Sequence, residues 1–261
     1  MFHGETAEAI AKMERVTASD PQNPSAPHFA TAFYLDADDP EAASAIAATT
    51  PASHDAARVL LAQYVGDWRG AGAAALGRRG FLFNVYQNFN WSEAVRDYAV
   101  NTGSYRQGAE AIATRFGFDL RNPRIDNIAK STAAPALGDI LIWSGERAKG
   151  EQLLAQTVQW IDAHPSYGLG GVKRTRAEAM MLLGQRDQAL SDLRSSFETG
   201  HDIRQWWYVI DRDPVWAPAR TDPRFQAIAE LCRQAARGQR AKLDGLRHAG
   251  AVPLRAPAIR G

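Results

Sequence analysis

LGDILIWSGERAKGEQLL, residues 137–154, sets an apolar helical stretch against a glycine, a short polar turn, a second glycine and another apolar stretch. A glycine placed like Gly145 supplies the left-handed backbone that ends a helix without a Cβ penalty. Five places on, Gly150 falls on the next helix, where a missing side chain lets two helices approach closely. Leu153, Leu154, Val158 and Ile161 then follow at helical spacing. The stretch predicts a helical hairpin that turns at Gly145.

The same arrangement recurs. It appears at Gly4 with Ala9, Gly66 with Ala71, Gly103 with Gly108, and Gly184 with Ala189. A degenerate copy has Asp38 in the glycine's place and Ala43 as the small residue. Boundaries from Gly4 to Gly184 lie 34, 28, 37, 42 and 39 residues apart. One hairpin cannot bury its apolar face alone, so neighbours must stack. Only three residues precede Gly4, half a hairpin too few. The expectation is that an upstream piece of a longer protein, or another chain, covers this end.

The pattern resembles the tetratricopeptide-repeat (TPR) family. The best copies are Leu137-Gly138 with Gly145 and Leu154, and Ala177 with Gly184, Ala189 and Leu193. Pro21, in SDPQNP, falls where the family places its inter-repeat proline. The resemblance covers most of residues 1–200 and implies an all-α, right-handed superhelical solenoid of stacked hairpins; a compact helical bundle is the alternative. Residues 201–249 are expected to form an aromatic end-plug and a capping helix, and 250–261 a loose tail.

Two stretches interrupt the repeats. RRGFLFNVYQNFNW, Arg78 to Trp91, reads as a kinked linker whose Phe81, Phe83, Tyr86 and Phe89 plug a junction. In FDLRNPRIDNIAKST, Phe118 to Thr132, Pro123 blocks a continuous helix. TDPRFQAIAELCRQAARGQRAKLDGLRHAG, beginning at Thr221, reads as one long helix over the last hairpin. Asp222 is its expected N-cap, and Pro223 suits the first turn.

HDIRQWWYVIDRDP, residues 201–214, puts large aromatics before two aspartates. With the residues that follow, it resembles the end of bacterial tetratricopeptide proteins in which the array follows a signalling domain. Those domains include winged-helix regulators, adenylate-cyclase-like domains and protein kinases. Trp207, Asp213-Pro214, Pro218 and Asp222 to Phe225 carry the resemblance. It implies that the segment closes the array, as a seal of buried aromatic area.

In the tetratricopeptide class the first helices of successive hairpins line the concave surface. Counting back six residues from each boundary glycine gives Asp97, Asp139 and Glu178; counting back two gives Asn101, Trp143 and Leu182. Arg174 is the one opposing charge, and Glu93 shares a helical face with Asp97. Pro135, ten before Gly145, reads as a helix-start residue. These positions predict a partner-binding groove of Asp97, Asn101, Asp139, Trp143, Arg174 and Glu178. Its sign favours a protein or peptide that is neutral to basic.

Other classes find little support. The chain has 261 residues and a net charge of +1, which gives no nucleic-acid signature. Residues 1–67 carry ten acids and three bases (3 − 10 = −7), and residues 214–261 nine bases and three acids (9 − 3 = +6). Such polarity reads as two solvated surfaces. No apolar run is long enough to cross a membrane, and the N-terminus has no secretory pattern. A cytoplasmic location is expected, or a periplasmic one if an upstream anchor is missing. The six histidines are scattered without zinc spacing, so no metal or cofactor is expected. GLGG, residues 168–171, lacks the residues of a phosphate loop. Cys232 lies on an apolar stripe, as a structural thiol would. Asp211 and Asp213 lack the pocket that splits the acidities of a catalytic pair, and Asp213 before Pro214 reads as a turn residue. The resulting expectation is a non-catalytic protein-interaction module. The alternative is the regulatory region of a bacterial signalling protein without its output domain, with an enzyme as a weaker third.

Overall fold

A computed structural model gives the fold and describes residues 5–20, 23, 25–49, 56–77, 85–164, 172–198 and 204–255. Twelve α-helices follow one another in these stretches: α1 Thr6–Ser19, α2 Ala26–Asp36, α3 Pro40–Thr49, α4 Ala56–Val65, α5 Trp68–Gly77, α6 Val85–Thr102, α7 Tyr105–Phe116, α8 Ile128–Trp143, α9 Arg147–Ala163, α10 Val172–Leu182, α11 Arg186–Glu198 and α12 Pro223–His248. A π-helical turn, Tyr208–Arg212, and a 3₁₀ turn, Pro214–Ala219, lie between α11 and α12. The fold is all-α, with no strand among the described residues.

Helices α2 and α3, α4 and α5, α6 and α7, α8 and α9, and α10 and α11 pack in pairs. The turns between them fall at the boundary residues read from sequence. Gly66, Gly103, Gly145 and Gly184 all have positive φ, and so does Asp38 at +54°. Ala43, Ala71, Gly108, Gly150 and Ala189 are all buried on the second helices. The spacing has a steric cause at Gly150: a Cβ there would stand 2.6 Å from the Gly138 carbonyl oxygen on α8. Gly4 and Pro21, part of the same reading, lie outside the described residues.

The first and last helices meet. Helix α12 packs on α11 and also on α1, where Gln239 Oε1 accepts a 3.0 Å hydrogen bond from the Ala7 amide. Beyond it, Arg255 clamps Glu14 with Nε and Nη2 at 2.8 and 2.5 Å, and Glu14 in turn accepts from the Tyr34 hydroxyl. One core therefore joins α1–α4 to α10–α12 and the intervening turns, while a second fills the space among α4–α9. α12 does more than sit over the last pair: it covers α1 as well. Its start follows the sequence reading, with the Asp222 carboxylate accepting from the Arg224 amide at 2.9 Å.

Pro135 does not start a helix. It lies in the interior of α8, seven residues after Ile128, with Asn127 as the N-cap accepting from the Lys130 amide. The proline removes one amide donor from the helix, and its neighbours Ala133, Ala134, Ala136 and Leu137 are buried around it. The expected linker at Arg78 to Trp91 is also helical from Val85 onward, with Phe89 and Trp91 buried. Phe81, Phe83 and the Tyr86 side chain lie outside the described residues, as do residues 168–171, His3, His54, His201 and the tail from 256. His28 is buried with its ring 5.5 Å from that of Phe29. Burial pushes the Cys232 thiol up to about 12, which leaves it protonated and unreactive at neutral pH.

Candidate functional site

The segment from Gln205 to Ala219 packs its aromatic side chains against α2, α4 and α6, and its 3₁₀ turn against α10. Gln205 holds the left-handed conformation, φ +56°, which an L-residue adopts only when its surroundings demand it. The demand is visible: its amide donates to Asp36 Oδ1 at 2.7 Å, and its side-chain amide donates to Asn90. Trp206 Nε1 donates to the Asp36 carbonyl at 3.0 Å. The π-helical turn closes with the Asp213 amide on the Tyr208 carbonyl at 2.7 Å, and such turns recur at functional sites. Asp213 then accepts from the Val215 amide at 3.0 Å, which starts the 3₁₀ turn. Trp206, Trp207, Tyr208 and Trp216 are all buried.

Beneath this plug lies a network of buried charge. Arg96 on α6 is 1% exposed and donates to Asp97 Oδ1, the Tyr208 hydroxyl and Asp213 Oδ1 at 2.9, 2.7 and 2.8 Å. The Tyr208 hydroxyl donates onward to Asp97 Oδ2 at 2.7 Å. Asp139 on α8 lies 3.9 Å from Arg96 Nε. A second guanidinium, Arg174 on α10, donates to Glu178 at 2.8 Å and also to Glu93. Five carboxylates thus share two guanidiniums (2 − 5 = −3). Removal from water disfavours this much negative charge. Burial pushes Asp139 up to about 6, and raises Asp97, Glu178 and, most strongly, Glu93. Asp36, beside the plug, is pushed by burial up to about 7.

Of the six groove residues read from sequence, four lie here. Asp97, Asp139, Arg174 and Glu178 are 7, 5, 5 and 2% exposed. The chain brings them together, as their common helical register implies, but under its own plug and on no open surface. The carboxylates that favoured a neutral or basic partner are therefore bound by Arg96, Arg174 and Tyr208. Asn101 is exposed and donates back to the Asp97 carbonyl at 2.7 Å; Trp143 is 58% exposed. Asp211 and Asp213 part company: Asp211 faces outward to Arg233 at 2.8 Å, while Asp213 is fully buried.

An open cleft of about 360 Å³ lies on the outer side of the plug. Tyr64, Trp206 and Trp207 contribute aromatic surface, with the Tyr64 and Trp207 rings 5.1 Å apart. Arg212, Arg233 and Arg237 stand with Asp38 and Asp211 around it. Arg212 Nε donates to the Tyr64 carbonyl at 3.1 Å, and the Tyr64 hydroxyl to Asp38 at 2.8 Å. Arg233 and Arg237 hold Asp211 and Glu230, and each guanidinium has five donors, so both retain N–H groups for a ligand.

Sequence reasoning missed Arg96 as the hub and missed this cleft. The first had a local signal, an arginine beside Asp97 in the otherwise apolar AVRDYAV. The second had none, because α4, the plug and α12 meet only in the fold. No protein-family profile, curated protein or solved structure matches the chain.

Proposed function

We propose that the protein is a non-catalytic, tetratricopeptide-like interaction module that binds an acidic peptide segment of a partner protein in the cleft beside the plug. The cleft carries this reading: three arginines stand around half-buried Tyr64 and the edges of buried Trp206 and Trp207, against two aspartates, of which Asp211 is already paired. Tyr64 gives a peptide an aromatic contact, and guanidiniums give charge-assisted, bidentate bonds to carboxylates. The buried carboxylates support a structural role for the former groove, since Arg96 and Arg174 hold them.

The test is an array of acidic, neutral and basic dodecapeptides, followed by fluorescence-anisotropy titration of the best binders. Acidic peptides bind tightest, their affinity falls as salt rises, and the Arg233→Ala, Arg237→Ala double variant loses the preference. Equal binding of acidic and basic peptides, or an unaffected double variant, overturns the proposal.

A further inference from the structure

Glu93, Glu178 and Asp213 reach one point from three elements, α6, α10 and the turn that ends the π-helical segment. One carboxylate oxygen from each lies within 4.8 Å of the other two. Separately, two oxygens in this group have no hydrogen-bond partner although they are fully buried: Glu93 Oε2 and Asp213 Oδ2. Their residues are 3% and 0% exposed, so bulk water does not reach them. An orphaned buried carboxylate oxygen is costly, and natural folds seldom leave one without a purpose.

One oxygen of each carboxylate is held by the protein. Arg174 binds Oε1 of both Glu93 and Glu178, and Arg96 with the Val215 amide binds Oδ1 of Asp213. These contacts fix the orientation of all three carboxylates, as surrounding hydrogen bonds do for metal ligands. They still leave the network with three more carboxylates than arginines, each of which needs a proton or a cation. A donor group would satisfy the orphaned oxygens but would leave that excess. Protons on the orphaned oxygens would do both, and so would one cation shared among the three carboxylates.

We propose that Glu93, Glu178 and Asp213 form a site for a hard divalent cation that fastens the plug to α6 and α10. The donor set is all carboxylate oxygen, which suits calcium, magnesium or manganese and disfavours softer ions. The spacing agrees: two oxygens on opposite sides of a bound ion are separated by about 4–5 Å, twice the usual metal–oxygen distance. The site is independent of the peptide cleft, because it lies on the inner side of the plug.

The experiment begins with elemental analysis of the full chain as purified, then thermal unfolding before and after chelation. Calcium, magnesium and manganese are next added singly to the stripped protein, with calorimetric titration of each. At least one of them restores the lost stability and binds at one ion per chain. Glu93→Gln, which keeps an acceptor for Arg174, weakens that binding at least ~10-fold. Should the variant fail to fold, the wild-type stoichiometry and its chelator response still decide. A chain that purifies without metal, ignores chelator and shows no binding heat with any of the three ions overturns the site. The orphaned oxygens would then be held by protons.

Discussion

Arg96 and Asp213 stand 117 residues apart in sequence and 2.8 Å apart in the fold, at 1% and 0% exposure. The contact joins the middle of α6 to the turn between the π-helical and 3₁₀ segments. Arg96 also holds Asp97 and Tyr208, so one guanidinium sets where the plug sits. A buried ion pair adds little net stability over a well-packed apolar substitute, because both charges lose their hydration. Removing one partner is different, since the other is left alone in a medium that cannot solvate it.

Arg96→Met should therefore destabilise the protein by about 3–5 kcal/mol, read as a fall in the urea midpoint. Asp97, Asp139 and Asp213 lose their shared counter-charge, although protonation of some of them softens the loss. Adding Asp213→Asn removes one of the stranded carboxylates. The double variant should recover ~0.5–3 kcal/mol relative to the sum of the single changes. Simple additivity would show that the pair is not coupled.

Asp36 makes stability depend on pH. Burial lifts its carboxyl from 3.8 to about 7, against the opposing pull of the Gln205 amide and the Arg204 and Arg174 charges. Between these two values the folded chain holds a proton that the unfolded chain releases. Stability from this group is greatest below pH 3.8, declines as pH rises toward about 7, and is level above that. Asp36→Asn keeps an oxygen acceptor for the Gln205 amide and removes the titration. Between pH 5 and pH 7 the wild type should lose roughly 1–2 kcal/mol relative to this variant. Parallel pH profiles for the two proteins would contradict the assignment.

The legible part of the fold is the part set by local geometry. Gly66, Gly103, Gly145 and Gly184 announce turns because a left-handed backbone nearly requires glycine, and Asp38 is readable only by its place in the series. The four groove residues that converge, Asp97, Asp139, Arg174 and Glu178, were legible as one face of successive helices. Their burial was not. It depends on Tyr208 and Asp213, which reach α6 across 111 to 117 residues, a pairing that helical spacing does not encode. Pro135 misled for the opposite reason. A local rule places proline at helix starts, but the apolar packing around α8 keeps it in the interior.

Gly150 and Gly145 separate two reasons for glycine within one hairpin. Gly150→Ala puts a methyl group 2.6 Å from a backbone carbonyl, so α8 and α9 must move apart. The expected cost is about 1–3 kcal/mol, as in other overpacked cores. Gly145→Ala meets no atom within 4 Å but must hold φ near +92°, a strain of about 1–2 kcal/mol for an L-residue. Gly145→Asn tolerates that conformation better and should recover part of the loss. No such rescue exists at Gly150. Chemical denaturation of the three variants distinguishes steric crowding from backbone strain.

Trp216 and Trp143 provide the sharpest contrast among the aromatic residues. Trp216 is fully buried, with its ring 6.1 Å from that of Phe225, and it locks the 3₁₀ turn against the first turn of α12. Trp143, which the repeat spacing assigns to a groove, is 58% exposed at the end of α8. Trp216→Ala should cost about 3–5 kcal/mol through lost burial and the cavity it leaves. Trp143→Ala, which loses exposed area and a side-chain hydrogen bond to Asp139, should cost no more than about 1 kcal/mol. Urea unfolding of each variant measures the difference directly. A large loss at Trp143 would mean that the outer face of α8 is covered, and equal losses at both would remove the plug's claim to hold α12 in place.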